Sequence, residues 1–153
     1  MNLNIFDPDI PLSSRDIDEI EDAIGLRLPK VVRDFYLRWN GGRPEGVVFD
    51  GPPFPGICDV LPLKSAEDVG TAVEFYEDSL LEDEQVMPRN FFPFAIEGTG
   101  CLYFVDCASP DAHVYYYIED TAFEEEQPID LGVGFADFWG RLRDEEWANR
   151  NGH

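Results

Sequence analysis

The clearest structural pattern in this chain lies in residues 17–42, which read IDEIEDAIGLRLPKVVRDFYLRWNGG. Apolar side chains recur there at helical spacing in two runs: Ile17, Ile20 and Ile24, then Val32, Phe35, Tyr36 and Trp39. Gly25 suits the left-handed C-cap of the first helix, and Pro29 suits the first turn of the second, where its missing N–H costs nothing. The stretch therefore predicts two short amphipathic helices that end at Asn40-Gly41-Gly42.

Loop-forming residues divide the rest of the chain into strands and two further helices. Short strands are predicted at residues 47–49 and 57–63, and a hairpin is predicted from the aromatic and β-branched runs at residues 101–105 and 113–119. A helix that opens at Ser65-x-x-Asp68 carries the stripe Val69, Val73, Tyr76 and Leu80, and a last helix is predicted at residues 135–147. Helices first, then strands, then a helix indicate an α+β fold rather than alternating βαβ units.

Length and composition are typical of one globular domain that spans residues 1–153. The chain is 44% apolar and holds 12 Phe, 6 Tyr and 3 Trp, which is enough to build a hydrophobic core without disulfide bonds or structural metals. The first residues carry no early basic group, and no apolar run approaches the length of a membrane span. We therefore expect a protein that acts in the cytoplasm.

The chemistry-bearing side chains form no specific catalytic constellation. Three cysteines, Cys58, Cys101 and Cys107, are an odd set without C-x-x-C spacing, which favours reduced, buried thiols over a disulfide framework. A Cys101–Cys107 link across a hairpin and a metal site that adds His113 are the alternatives. His113 is expected at the start of a strand, and no zinc or dinucleotide motif is found. We therefore expect no enzyme activity, no cofactor and no metal.

The formal net charge is −21, from 11 basic and 32 acidic residues, and it is unevenly distributed. Residues 1–43 hold 6 basic and 8 acidic side chains, whereas residues 44–153 hold 5 basic and 24 acidic ones. This charge argues against direct binding to nucleic acid or to an anionic membrane, because phosphate groups need the opposite sign. A cationic partner fits better, since complementary fields speed encounter. The alternative explanation is that the acidic runs only keep the protein soluble.

Several blocks of the sequence resemble the SMI1/KNR4 family of the SUKH superfamily. The opening block consists of Ile20-Glu21, Gly25-Leu26-x-Leu28-Pro29, Phe35-Tyr36 and Asn40-Gly41-Gly42. The later blocks are Pro93-Phe94-Ala95 with Gly98, Gly100 and Asp106, then Val114-Tyr115, and finally Gly134-Phe135-Ala136-Asp137-Phe138. Two features depart from the family pattern: Cys101 stands where Asn or Asp is common, and the acidic residues 66–84 resemble a variable insert.

The resemblance implies both a fold and a role. The implied fold is a mainly antiparallel twisted sheet flanked by the N-terminal helix pair, a middle acidic helix and a C-terminal helix. The implied role is that of a bacterial immunity protein, which neutralises a cognate toxin by binding it, and many such toxins are nucleases with basic surfaces. An intracellular regulatory scaffold that binds a cellular protein is the alternative, since fungal members regulate cell-wall signalling. The oligomeric state is left open, with a monomer favoured.

Two acidic clusters and their aromatic neighbours form the predicted contact surface. Residues 66–84 hold eight acidic side chains and no Lys or Arg, and a second cluster lies in residues 119–130. The predicted contacts are Glu74, Glu77, Asp78, Glu82, Asp83, Glu84, Glu124, Glu125 and Glu126, with Tyr116 and Phe123 as aromatic anchors. Carboxylates are expected to steer the partner, and the aromatic side chains to supply desolvated contacts.

Overall fold

The computed structural model describes residues 3–67, 70–81, 87–118 and 128–151. Within these residues there are five helices: α1 Ser14–Ile24, α2 Lys30–Arg38, α3 Ala72–Leu81, α4 Phe135–Gly140 and α5 Glu145–Arg150. The same residues form nine strands: β1 Ile5–Phe6, β2 Arg43–Pro44, β3 Val48–Phe49, β4 Asp59–Val60, β5 Phe91–Ile96, β6 Leu102–Asp106, β7 His113–Tyr117, β8 Ile129–Gly134 and β9 Leu142–Arg143.

The main sheet has five antiparallel strands in the order β4-β5-β6-β7-β8. Two small antiparallel pairs, β1 with β2 and β3 with β9, join segments that are far apart in the sequence. The predicted hairpin is formed by β6 and β7, in which Tyr103 lies opposite Tyr116. The architecture is α+β with a mainly antiparallel sheet, which confirms the fold class expected from the sequence.

The opening helix pair forms as the apolar periodicity predicts. Ser13 caps α1 in a capping box with Asp16, and Gly25 ends it in the left-handed conformation with φ 70°. Ile17 is fully buried, and α2 begins directly after Pro29. Both helices therefore turn their apolar faces to the core, as expected.

A buried carboxylate, Glu21, joins these two helices. Its side chain is 4% exposed, and its Oε2 accepts a hydrogen bond of 2.7 Å from the backbone N–H of Leu28. Its Oε1 lies 2.6 Å from Nη1 of Arg33 on α2. The carboxylate thus fixes the loop between the helices and pairs with a cation across them, which compensates for its burial.

The Asn40-Gly41-Gly42 motif is a junction between loops rather than only a helix end. The buried amide of Asn40 donates to the carbonyls of Ile10 and Lys64, at 2.7 and 2.6 Å, and accepts from the N–H of Leu63. Gly42 has φ 120°, and a Cβ there would lie 2.6 Å from the carbonyl oxygen of Phe6. The position therefore requires glycine for both conformation and space.

Aromatic rings from both ends of the chain meet in the core. The ring of Phe35 on α2 stacks on Trp139 of α4 with centroids 4.7 Å apart. Phe94 on β5 contacts Phe138 edge-on at 5.5 Å, and Phe138 stacks on Phe49 at 5.4 Å. These contacts hold α2 and α4 against one face of the sheet.

Two element predictions need correction here, and the absence of β8 from the predictions needs an explanation. The last helix does not run through residues 135–147: α4 ends at Gly140, and the chain then pairs with β3 through β9 before α5 begins. The strand predicted at residues 57–63 is reduced to β4: Leu61 still donates to the carbonyl of Phe94 on β5, but Leu63 donates to the side chain of Asn40 instead of to the sheet. Strand β8 was not predicted, since its glycines weaken the alternating pattern.

Candidate partner-binding surface

Helix α3 presents an acidic outer face. Tyr76 fixes its inner face: the ring packs against Phe92 with centroids 5.5 Å apart, and the hydroxyl donates to a backbone carbonyl at 2.6 Å. Glu74, Glu77 and Asp78 are exposed on the other side. Three of the predicted contact residues are therefore brought together on one helical face.

The start of α3 differs from the sequence prediction. The helix begins at Ala72, not near Ser65, because Thr71 supplies the cap: its Oγ1 accepts from the N–H of Glu74 at 3.1 Å. Oε2 of Glu74 in turn accepts from the N–H of Gly70 at 3.0 Å. Glu74 therefore has a local structural role, whereas Glu77 and Asp78 make no such contact among the described residues.

Among the described residues, the acidic face of α3 has no counter-ion. Glu74, Glu77 and Asp78 are spaced i, i+3 and i+4, an arrangement in which like charges repel. In the part of the chain that the structure describes, no Lys or Arg forms an ion pair with any of the three. Helices α1 and α2 differ, since most of their exposed acids pair with a neighbouring cation.

A groove with three carboxylates, called here the acidic groove, adjoins this face. It has a volume of about 400 Å³. Asp7, Asp9 and Asp59 line it together with the apolar residues Val60, Leu61, Pro62, Phe75 and Ile96. Phe75 belongs to α3, and Gly70, which is bonded to Glu74, also lines the groove. An apolar surface beside carboxylates suits the aliphatic stem and charged head of a Lys or Arg side chain.

Two of the three groove carboxylates have identifiable partners. Asp7 pairs with Arg43 at 3.1 Å on the open surface. Oδ1 of Asp9 accepts from the N–H groups of Ile10 and Ala66 and so is fixed in place. Asp59 is exposed on β4 and has no ion pair within the described residues. The groove thus keeps a surplus of negative charge.

Tyr116 is not an exposed aromatic anchor, which corrects that prediction. Its side chain is 5% exposed, and its ring packs on Tyr103 with centroids 4.9 Å apart. Its hydroxyl donates to Oε2 of Glu97 at 2.8 Å, and burial, with this bond, raises the pKa of the phenol well above its usual value. The other face of β7, with Tyr115 and Tyr117, is half-buried.

The remaining predicted contacts lie outside the described residues. They are Glu82, Asp83, Glu84, Phe123, Glu124, Glu125 and Glu126.

The geometry does not support the two alternatives considered for the cysteines, a Cys101–Cys107 disulfide and a metal site that adds His113. Cys101 is buried, Cys107 is half-buried and Cys58 is exposed, so the three thiols do not share one environment. Burial raises the pKa of the Cys107 thiol to about 12, which leaves it unreactive at neutral pH. Among residues 3–67, 70–81, 87–118 and 128–151, no group of three His, Cys, Asp or Glu side chains could hold a metal ion. No helix in the same ranges has the length and apolarity to cross a membrane.

His113 lies between two carboxylates. Its Nδ1 is 3.2 Å from Oδ2 of Asp111, and its Nε2 is 2.6 Å from Oδ1 of Asp130 on β8. Burial lowers the pKa of His113, but hydrogen bonds to both carboxylates and their charges outweigh it, so the pKa lies above 6.5. The ring, which bonds to both carboxylates when it is protonated, therefore ties β7 to β8 and to the preceding turn.

Replacement of His113 by glutamine is expected to make folding less sensitive to pH. Since the folded-state pKa is raised, the ring stabilises the fold fully below the unfolded-state value of 6.5, and this contribution is lost as pH rises through the folded-state pKa. The difference in unfolding free energy between wild type and His113→Gln should therefore be larger at about pH 5.5 than at about pH 8.5. Urea unfolding at both pH values checks this, and a constant difference would contradict it.

Comparison with models of known protein families assigns the chain to a family. The model of the SMI1 / KNR4 family (SUKH-1) matches residues 11–140. A search of proteins with curated functions finds no match to this sequence. Domains of this family are generally of the immunity type, bind protein partners and are not catalytic. Because the match extends from before α1 to the end of α4, the chain belongs to the SMI1/KNR4 family (SUKH-1).

Proposed function

We propose that this protein is a bacterial immunity protein that acts in the cytoplasm as a single domain of residues 1–153. Its partner is a cognate toxin of the nuclease type with a basic surface, which it neutralises by direct binding. The observation that carries the proposal is the set of carboxylates on α3, beside the acidic groove, that have no counter-ion in the part of the chain that the structure describes. Family membership supports a protein partner in general. The negative charge of this surface argues that the contacting surface of the partner is positive.

Neutralisation is by occlusion. A nuclease holds the phosphates of its substrate with Lys and Arg side chains, so a surface of carboxylates is complementary to the same groups. Cationic side chains of the toxin would enter the acidic groove, with their stems against Phe75 and Ile96 and their heads near Asp59. The bound immunity protein then covers the site that nucleic acid would occupy, and no covalent bond is made or broken.

The proposed contacts divide into two kinds. Exposed carboxylates, such as Glu77 and Asp78, steer the toxin and mainly set the rate of association. The apolar lining of the acidic groove supplies desolvated contact and mainly sets the rate of dissociation. Glu82, Asp83, Glu84, Phe123, Glu124, Glu125 and Glu126 remain proposed contacts on the grounds of their sequence.

Co-expression tests the proposal. The toxin domain encoded next to this gene is expressed from an inducible promoter, with and without this protein, and growth is scored. We expect growth to be restored by the wild-type protein and to be restored less well by a variant with Glu77→Gln, Asp78→Asn and Asp59→Asn. Failure of the wild-type protein to protect would contradict the proposal and favour the regulatory scaffold, as would a gene neighbourhood without a toxin.

A further inference from the structure

Exposed apolar side chains are concentrated in segments next to the acidic groove. In the part of the chain that the structure describes, four of the five large apolar side chains that are exposed lie in such segments: Phe6, Ile10, Val47 and Phe54. The first two flank the carboxylates of Asp7 and Asp9, which line the groove. The fifth, Leu37, lies on α2 and does not line it. Single exposed apolar side chains are ordinary, but several beside one groove are typical of a contact surface.

The hairpin that carries Phe54 adjoins the acidic groove. Residues 51–56 connect β3 to the segment that leads into β4, and the N–H of Gly56 donates to Oε2 of Glu97 at 3.0 Å. Glu97 follows Ile96, which pairs with Asp59 and lines the groove with it. Asp59 follows Phe54 by five positions, so their Cα atoms are at most about 18 Å apart. An interface of standard size covers about 800 Å² on each partner, a patch roughly 30 Å across, so one partner can cover both residues.

Phe54 has a backbone conformation that bulky residues rarely adopt. Its φ is 59°, in the left-handed region, where the Cβ of an L-residue lies too close to the following carbonyl oxygen. The side chain is nevertheless 38% exposed, so burial of the ring offsets only part of this cost. Strained conformations of this kind persist where the surrounding structure imposes them, and they are frequent in segments that bind a ligand.

The loop that holds Phe54 is fixed by its own hydrogen bonds and prolines. The N–H of Phe54 donates to the carbonyl of Gly51 at 2.6 Å, and the N–H of Phe49 donates to the carbonyl of Pro55 at 2.9 Å. Prolines at positions 52, 53 and 55 restrict the backbone further. The hydroxyl of Tyr103 donates to the carbonyl of the last loop residue, Gly56. The ring is therefore held in place before a partner arrives, which lowers the entropic cost of binding.

The charges on the two sides of this loop differ. Arg141 and Arg143 both pair with Asp50 at the start of the loop, on the side of β9. On the side of the acidic groove, neither Glu97 nor Asp59 forms an ion pair with any residue that the structure describes. The basic groups of a partner that contacts Phe54 are therefore expected on the groove side.

We propose that Phe54 is the aromatic anchor of the complex and inserts into an apolar pocket of the toxin, beside the basic groups that enter the acidic groove. This inference rests on the proposed function and deepens it. The sequence placed the anchor at Tyr116, which is buried, whereas Phe54 is an exposed aromatic side chain next to the acidic surface. Desolvation of a rigid ring at the centre of a contact mainly slows dissociation, and the carboxylates mainly speed association.

Dissociation kinetics test the anchor. The toxin domain encoded next to this gene is immobilised, and the dissociation rate constant is measured for the wild type, Phe54→Ala, Phe54→Gly and Phe54→Leu. Loss of the ring in Phe54→Ala and Phe54→Gly should raise this rate constant by about tenfold or more. Phe54→Leu keeps a large apolar side chain and should raise it much less. The increase should persist at about 1 M salt, where the Debye length is about 3 Å and steering is screened.

A control variant and thermal unfolding separate binding from folding. Leu37→Ala removes a side chain of similar exposure, 40%, from α2 and should leave the dissociation rate constant unchanged. Phe54→Gly should have a higher thermal midpoint than Phe54→Ala, because glycine adopts a φ of 59° without strain. The two variants should therefore lose binding equally although their stabilities differ.

Three results would overturn the anchor alone while the wild-type protein still binds the toxin. One is a wild-type dissociation rate constant for Phe54→Ala, another is an equal effect of Leu37→Ala, and the third is loss of binding in Phe54→Ala that Phe54→Gly restores together with stability. The last result would mean that the ring acts through the fold of the loop. Failure of the wild-type protein to bind the toxin would instead overturn the proposed function, and the anchor with it.

Discussion

Neutralisation of Glu77 and Asp78 is expected to slow association with the toxin by about tenfold at low ionic strength, because two steering charges are removed from the contact surface. Dissociation should change little, since neither side chain contributes buried apolar contact. The thermal midpoint should stay the same or rise slightly, because like charges at adjacent positions of α3 no longer repel. Stopped-flow binding to the toxin encoded by the neighbouring gene, together with thermal unfolding, measures both effects.

A matched control separates local from overall charge. Glu19→Gln with Asp22→Asn changes the net charge by the same amount on α1, where each acid pairs with an arginine. This variant should associate with the toxin at nearly the wild-type rate. If both double variants slow association equally, the net charge rather than the face of α3 steers the partner, and the site assignment is wrong.

Replacement of Glu21 by alanine is expected to lower the free energy of unfolding by about 3 kcal/mol. The variant leaves the guanidinium of Arg33 without its closest partner and the N–H of Leu28 without its acceptor, which are separate costs. Glu21→Gln should cost less, because the amide oxygen still accepts from Leu28. Urea unfolding, monitored by circular dichroism, measures the free energy of unfolding of both variants.

Glu19→Ala is the control for Glu21→Ala. Glu19 lies on the same helix but is exposed, and its pair with Arg15 is open to solvent. Exposed pairs contribute little, so the expected loss is below about 1 kcal/mol. Equal losses for the two variants would show that the buried carboxylate does not hold the helix pair together.

Local signals in the sequence were enough to predict the helix pair. The periodic apolar residues, the left-handed position of Gly25 and the start of α2 after Pro29 all act within a few residues. The burial of Glu21 was not predicted, because its main partner, Arg33, lies on the next helix. From the sequence alone, a glutamate on the polar face of a helix is predicted to be exposed unless its tertiary partner is known.

The errors in the C-terminal half have a common cause. Residues 135–147 carry apolar side chains at helical spacing, but pairing of Leu142 with Phe49 on β3 overrides the local preference. Alternation placed Tyr116 on the face opposite Tyr115, but alternation alone does not say which face is buried. Tyr116 packs on Tyr103, which in turn contacts Phe138 of α4, and these contacts are not local.

The acidic surface was predicted in part. An excess of acids in residues 66–84 was enough to locate Glu74, Glu77 and Asp78 on one helix. The acidic groove was not predicted, because Asp7, Asp9 and Asp59 come from separate segments with no pattern of their own. Packing of β1 on β2 and of β2 beside β4 brings them together.

The distribution of counter-ions distinguishes helices α1 and α2, which belong to the scaffold, from α3, which we assign to partner binding. On α1 and α2, most exposed acidic side chains lie beside a cation of the chain itself, so their charges are compensated without a partner. On α3 the charges repel one another, a cost that is accounted for if a partner supplies the missing cations.

The most direct test of this account is the association rate constant with the toxin as a function of salt. Steering by exposed carboxylates is screened as the Debye length falls from about 30 Å at 0.01 M to about 3 Å at 1 M. We predict that the rate constant falls by at least about tenfold over this range. A rate constant that does not change with salt would contradict the claim that the acidic face of α3 and the acidic groove bind a cationic partner.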